Sequence, residues 1–339
     1  MDSVEERTIQ EIRGSYIIYL PKEWCIKNGI RKKSRVRVRY AGPTLFIEAL
    51  NEISNKKVVT IQIHKMNEKM LQYIIIALYL LGIDKIRLIS RRNISLKERR
   101  VIRRIIESFT RYVISYEGKN FIDLSCSYIQ YDIWTSIFKV FNSLASILNY
   151  FLEILTRKDK FSAEDLEEIE AIDSEIDLLR HDFERMFSKS LINLKSEVNL
   201  DLKSQDILVR IVIIVERMID HLNALARLSV ENGHSLDAIS TYIAKLNSTT
   251  NHIIKILENI RDTKLYGIKL NNFNGVIQTL IDIIQVKVTF HTFLERDVII
   301  DIVKYHILRL YDYITDITEL LLDWIVKIYY IDYEHMLHM

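Results

Sequence analysis

The chain has 339 residues, 49% apolar and 27% charged, with a formal net charge of +2. Its length exceeds the usual size of one domain, so two or three are expected, and 8 Gly and 2 Pro favour long helices over turn-rich β structure. The longest apolar run, Tyr73 to Ile83, falls far short of the ~20 residues of a membrane span, and the start MDSVEER is too acidic for a signal peptide, so the expectation is a cytoplasmic protein with no membrane insertion.

Charge is divided along the chain. Residues 1–128 hold 25 Lys/Arg against 13 Asp/Glu, a balance of +12, and residues 129–339 hold 22 against 32, a balance of −10. A basic front suits nucleic acid or another anionic surface, and an acidic rear suits cations or basic protein faces; alternatively, the two halves attract one another. Cys25 and Cys126 lie far apart without CxxC spacing, which suggests neither zinc nor a disulfide framework.

The front alternates in strand fashion through RTIQEI, SYIIYL, SRVRVRY and TLFIEAL, punctuated by Gly14, Gly29 and the Gly42-Pro43 pair. Residues 56–125 then read strand (VVTIQI), helix (EKMLQYIIIALYLLG), strand (KIRLIS), helix (SLKERRVIRRIIESF) and two strands (RYVISYE, NFIDLSC), a small α+β unit. From Asp132 onward helical periodicity predicts segments near 133–158, 163–195, 201–231, 236–262, 273–296 and 298–330. Six such helices suggest a bundle or a pair of bundles. The expected division is therefore 1–52, 53–128 and 129–339.

Two of these helices carry carboxylates four residues apart: Asp173 and Asp177 in AIDSEIDLLRHDFE, Glu216 and Asp220 in ERMIDHLNALA. Residues at i and i+4 share a helix face, so each pair aims two hard oxygen ligands in one direction. Packed face to face, the two helices would make a carboxylate-lined cation site. Like charges at that spacing cost each helix roughly 0.2–0.5 kcal/mol unless a bound metal, or solvent, offsets them.

The six helices also read as three repeated. ERMIDHLNALARL and LRLYDYITDITEL align Asp220 with Asp312 at an offset of 92, placing Leu308 opposite Glu216. SEIDLL and TLIDII align Asp177 with Asp282 at an offset of 105, placing Gln278 opposite Asp173. The second copy lacks one carboxylate of each pair, so its site, centred on Asp282 and Asp312, is expected to be weak or absent.

ERMIDHLNALA resembles the ERIGDHxxNIA signature of PhoU-type phosphate-signalling proteins, preceded by a DxxxD helix, and LRLYDYITDITE resembles the second-copy signature ERIADYxxDIAE. The resemblance covers about residues 133–330. It implies tandem three-helix bundles binding multinuclear iron or zinc, and a negative regulator of phosphate uptake acting with a transporter and a sensor kinase. By position it makes Asp173, Asp177, Glu216 and Asp220 the ligands of a first site, with Asp282 and Asp312 as remnants of a second.

GSYIIYLPKEWCIKNGIRKKSRVRV resembles the SpoVT/AbrB-like swapped-hairpin domain that archaeal PhoU-like regulators carry ahead of the bundle. Pro21 opens its helix and Gly29 closes it, sensible caps for those positions. Lys33-Ser34 stands where that family has Gly-Asp. The resemblance implies a homodimer, because such barrels close only with two chains. The fold class expected is thus mixed: a swapped-hairpin β domain and an α+β unit, then an all-α tandem three-helix domain.

Arg31, Lys32, Lys33, Arg35, Arg37 and Arg39 could grip DNA phosphates from one face, or could form a solvated, edge-blunting face. The run Arg91, Arg92, Lys97, Arg99, Arg100, Arg103 and Arg104 reads as a solvated helix surface, and His181 and His221 as surface or packed histidines rather than ligands. The chain contains no P-loop, GxSxG or dinucleotide fingerprint, and the only Glu-x-x-His spacing, Glu231 to His234, sits at a helix end beside Gly233. No enzymatic activity is expected. The function expected is a phosphate-responsive regulator joining DNA binding to a metal-binding adaptor; the alternatives are an adaptor that only dimerises through its front, or a metal-dependent helical enzyme.

Overall fold

The computed structural model describes residues 6–41, 44–49, 58–64, 66–126, 132–157, 159–193, 200–232, 236–266, 273–294 and 299–332. A small β region leads into a largely helical C-terminal region.

The front consists of two antiparallel hairpins in separate two-stranded sheets, β1 (Gln10–Ile12) with β2 (Ser15–Ile17) and β3 (Val36–Ala41) with β4 (Thr44–Ala49). Arg13 and Gly14 turn the first hairpin with φ of 52° and 78°, the pair of positive angles that a two-residue loop needs to follow the strand twist. Between the hairpins lies α1 (Lys22–Lys27), with Pro21 as its N-cap residue. It ends in a Schellman motif: Gly29 at φ 64° donates to Ile26 O, and Ile30 N donates to Cys25 O. In the following turn Lys33 adopts φ 68°, so a lysine holds the left-handed backbone that glycine would take without strain. The turn is closed by Ser34, whose N–H donates to Arg31 O and whose hydroxyl accepts from Arg31 N. Gly42 and Pro43 lie outside the described residues.

The middle unit is a four-stranded sheet in the order β5-β6-β8-β7, built from β5 (Val59–Gln62), β6 (Lys85–Ile89), β7 (Tyr112–Glu117) and β8 (Phe121–Cys126). β5 and β6 run parallel, which requires the crossover supplied by α2 (Glu68–Leu80). Ser95 and Glu98 form a reciprocal capping box at the start of α3 (Leu96–Phe109). One core joins Ile75, Tyr79, Ile102 and Ile105 of the helices to Ile86, Leu88, Ile122 and Leu124 of the sheet.

A second, larger core lies among α4 (Ile133–Arg157), α5 (Ala163–Asn193), α6 (Leu202–Asn232), α7 (Ser240–Tyr266), α8 (Phe273–Leu294) and α9 (Asp301–Val326). α4, α5 and α6 touch pairwise, α9 packs on α7 and α8, and the two groups meet through α4 on α7 and α6 on α9. α4 is the one described helix long and apolar enough to cross a membrane, and half of its most apolar stretch is buried inside the protein. Its Trp134 stacks on Trp324 of α9 at 6.0 Å, and the Trp324 indole N–H donates to Ser204 of α6 at 3.0 Å. The chain passes from α9 into a π-helical turn at Lys327–Asp332.

The α+β unit is docked on the C-terminal half of α5. Asp182 accepts from the Tyr79 hydroxyl at 2.5 Å and from Arg111 Nε at 3.1 Å, while Arg185 donates to the carbonyls of Tyr79 and Ile83 and to Asp84. Gly82, at φ 78°, lets the backbone approach α5: a Cβ there would stand 2.7 Å from Lys189 Cγ. His181, buried as a packed histidine, places Nδ1 3.0 Å from the carbonyl of Phe109.

Candidate carboxylate site between two helices

α5 and α6 form the most extensive helix pair among the described residues, and the carboxylates foreseen on each helix meet across that contact. Glu216 hydrogen-bonds Asp177, Asp220 feels the charge of Asp177, and Asp173 feels the charges of Asp220 and Asp177. Ile169, Ile176, Leu179, Val215, Met218, Ile219 and Leu222 are buried in the core, which fixes the rotation of both helices and leaves the acidic stripes on adjoining flanks.

Burial raises Asp173 to about 6, with the Asp220 charge adding and a hydrogen bond from Asn223 opposing. Glu216 is driven well above the ordinary carboxylate range by burial, against the opposing charge of Arg180 and with the help of Asp177 and Asp220. Asp220 is also raised, through desolvation and then Asp177, with Arg180 and Arg217 opposing. It alone of the four is exposed as a residue, so solvent weakens both contributions there.

Two side chains not foreseen in the sequence complete the site. Asn223 Nδ2 donates to Asp173 Oδ2 at 3.1 Å, yet Asn223, 8% exposed, leaves its own Oδ1 unpartnered, and Asp173 Oδ1 is buried without a partner too. Arg180 reaches in from α5: Nε lies 3.3 Å from Glu216 Oε1, Nη2 lies 3.8 Å from Asp177 Oδ1, and Nη1 donates to Glu184 at 2.6 Å. The buried Nε is near Glu216 but not aligned for a hydrogen bond. One guanidinium shared with Glu184 thus serves Asp177, Glu216 and Asp220, and leftover acceptors remain around Asp173.

Hard oxygen donors with orphaned acceptors suit a cation. In the arrangement described, however, Arg180 supplies the positive charge, and no three His, Cys, Asp or Glu side chains are gathered closely enough to hold a metal ion among the described residues.

The positions that the sequence pattern aligns with these lie on α8 and α9. Asp282 accepts from Gln278 Nε2 at 2.8 Å, Asp312 pairs with Arg309 at 3.2 Å, and Leu308 packs against the core. His221 meets His306 of α9 with 2.7 Å between their Nδ1 atoms, flanked by Tyr305 and Tyr313. Burial, followed by the charges of His306 and Arg309, lowers His221 to about 4. Of the Glu231–His234 spacing, His234 lies outside the described residues.

On the front, Arg31, Lys32, Lys33, Arg35 and Arg37 are exposed. β3 begins at Val36, so Arg35 precedes the strand; Arg39 lies within it opposite Phe46 in register, its side chain outside the described ones. In the middle unit, Arg92 pairs with Glu98, Arg99 and Arg103 with Glu117, and Arg104 with Glu68. Those four arginines, three of them on α3, belong to ion pairs, and the charge left there for a ligand is correspondingly reduced. No protein-family model and no curated protein matches the chain.

Proposed function

We propose that the protein is a phosphate-responsive regulator of PhoU type, in which a cation-binding helical adaptor is coupled to a dimeric, DNA-binding front. The observation that carries the reading is the meeting of Asp173, Asp177, Glu216 and Asp220 between α5 and α6, with orphaned oxygens on Asp173 and Asn223. These four carboxylates would hold the metal, iron or zinc by the resemblance, and bound there it would supply the positive charge that Arg180 alone provides incompletely. A tandem of two three-helix bundles is supported by a contact at the junction: His221 and Tyr313, 92 positions apart like Asp220 and Asp312, meet with ring centroids 5.7 Å apart. Equivalent residues touching each other is what a pseudo-twofold axis produces.

The front supports a homodimer. None of the residues from 6 to 49 whose side chains are described is buried, and Ile12, Tyr16, Ile26 and Leu45 are exposed by 49%, 77%, 69% and 52%. A unit that small cannot stand without a core, and a second copy interlocking its hairpins would cover these side chains. The same observation favours a second reading, in which the front serves assembly alone and touches no DNA. In either case the adaptor would act in the cytoplasm on a phosphate transporter or its signalling proteins, without catalysis.

Elemental analysis tests the site. The purified wild type carries a bound transition metal, and Asp177→Ala with Glu216→Ala removes most of it. Equal metal content in the two proteins would show that the carboxylates are not the ligands.

A further inference from the structure

Arg180 stands where the carboxylate site and the α+β unit come within one residue of each other. On one side its guanidinium faces Asp177 and Glu216; on the other its Nη2 lies 3.0 Å from His181 Nε2. A guanidinium has no acceptor, so Arg180 is the donor in that contact and Nε2 accepts. The ring proton is thereby assigned to Nδ1, which donates to the carbonyl of Phe109 at 3.0 Å. Phe109 ends α3, and the last carbonyls of a helix have no partner within it. His181, only 4% exposed, therefore caps α3 at a place water reaches poorly.

We propose that Arg180 is a resident counter-ion that yields its place when the carboxylates take up a cation, and that His181 passes this change to the end of α3. The proposal rests on the cation-binding reading above and adds how occupancy is reported to the rest of the chain. Three features make Arg180 displaceable. Its Nε is poorly aligned on Glu216; Glu184, 2.6 Å from Nη1, offers an alternative anchor; and Asp173 Oδ1 and Asn223 Oδ1 remain as acceptors that nothing satisfies. A divalent ion takes oxygen ligands at roughly 2.0–2.6 Å, a position that a guanidinium of the same sign cannot share. Once Arg180 turns toward Glu184, His181 Nε2 loses its donor. The Phe109 carbonyl keeps the proton on Nδ1, so Nε2 becomes a buried acceptor without a donor; relieving it turns the ring away from Phe109, and the last turn of α3 loses its cap.

The test uses the full chain, titrated with manganese(II) and with zinc(II) and followed by calorimetry and amide hydrogen exchange. In wild type, ion binding raises exchange of amides 106–110 severalfold. Arg180→Met, which keeps the aliphatic stem, binds the ion at least about tenfold more tightly, the worth of one charge-assisted contact, and its amides 106–110 exchange quickly with or without ion. His181→Ala binds within about twofold of wild type, yet its α3 end no longer responds. Equal affinity of wild type and Arg180→Met, or an α3 end indifferent to saturating ion, would overturn the coupling while leaving the carboxylate site standing. Binding by neither protein would overturn both. If Arg180→Met fails to fold, His181→Ala decides: a response to ion that persists without His181 refutes the route.

Discussion

At the scale of single residues, burial and mutual repulsion raise the pKa of Asp173, Glu216 and Asp220 above the ordinary carboxylate range. Glu216 and Asp173 have folded-state pKa values above their unfolded ones, so the native state binds more protons and stability falls as pH rises from about 4 through the folded values. The loss occurs between the ordinary carboxylate range and about 6 for Asp173, and extends higher for Glu216. Arg180 opposes the shift of Glu216 but does not cancel it, so the charged form is a net burden despite the ion pair. Glu216→Gln, in the presence of a chelator, therefore matches wild type at pH 4 and becomes more stable than it by pH 8. Urea denaturation at the two values measures this, and a variant less stable than wild type at pH 8 would show that the Arg180 pair outweighs burial. The four carboxylates were legible because i,i+4 spacing alone puts them on one face. Arg180 and Asn223 were not: their part in the site depends on the rotation of α6 against α5, and Arg180 also stands four residues from Glu184, within reach of a pair on its own helix.

At the scale of elements, local signals placed the chain's helices and strands closely. Ser95 with Glu98, Asn67 accepting from Met70 N, and Gly29 in the left-handed region are stop and start marks that act through their own backbone, so they read the same in the sequence and in the fold. What could not be read was the docking of the α+β unit on α5. Asp182 and Arg185, 2% and 3% exposed, look in sequence like the polar face of an amphipathic helix, and only tertiary contact turns that face inward. The same concealment explains His181, whose partner is a main-chain carbonyl 72 residues away. Tyr79→Phe removes the hydroxyl that Asp182 accepts from and leaves a buried carboxylate with one partner fewer. It should cost about 1–3 kcal/mol in chemical denaturation, the range for an under-satisfied buried polar group. A change below about 0.3 kcal/mol would mean that Arg111 alone satisfies Asp182.

At the scale of the whole molecule, the charge division follows the architecture: the basic excess belongs to the two β-containing units and the acidic excess to the helices. Within the middle unit Arg92, Arg99, Arg103 and Arg104 are held in ion pairs, and the phosphate contacts proposed for the front are assigned to the exposed cluster from Arg31 to Arg37 and to Arg39. If about four basic side chains per dimer neutralise phosphates, log K for duplex DNA against log salt should slope by about −3.6. Alanine at Arg35, Arg37 and Arg39 together should weaken binding and flatten the slope without dissolving the dimer. A variant that dimerises and keeps both affinity and slope would make the front an assembly module.

The central claim is that a cation sits between α5 and α6. Crystals soaked in manganese(II) and measured for anomalous scattering test it most directly, because the signal locates the ion rather than merely counting it. The expected result is a peak within coordination distance of Asp173, Asp177, Glu216 and Asp220, with Arg180 turned away toward Glu184. A map with its peak at the His221–His306 contact, or with Arg180 still against Glu216 and no peak between the helices, would contradict it.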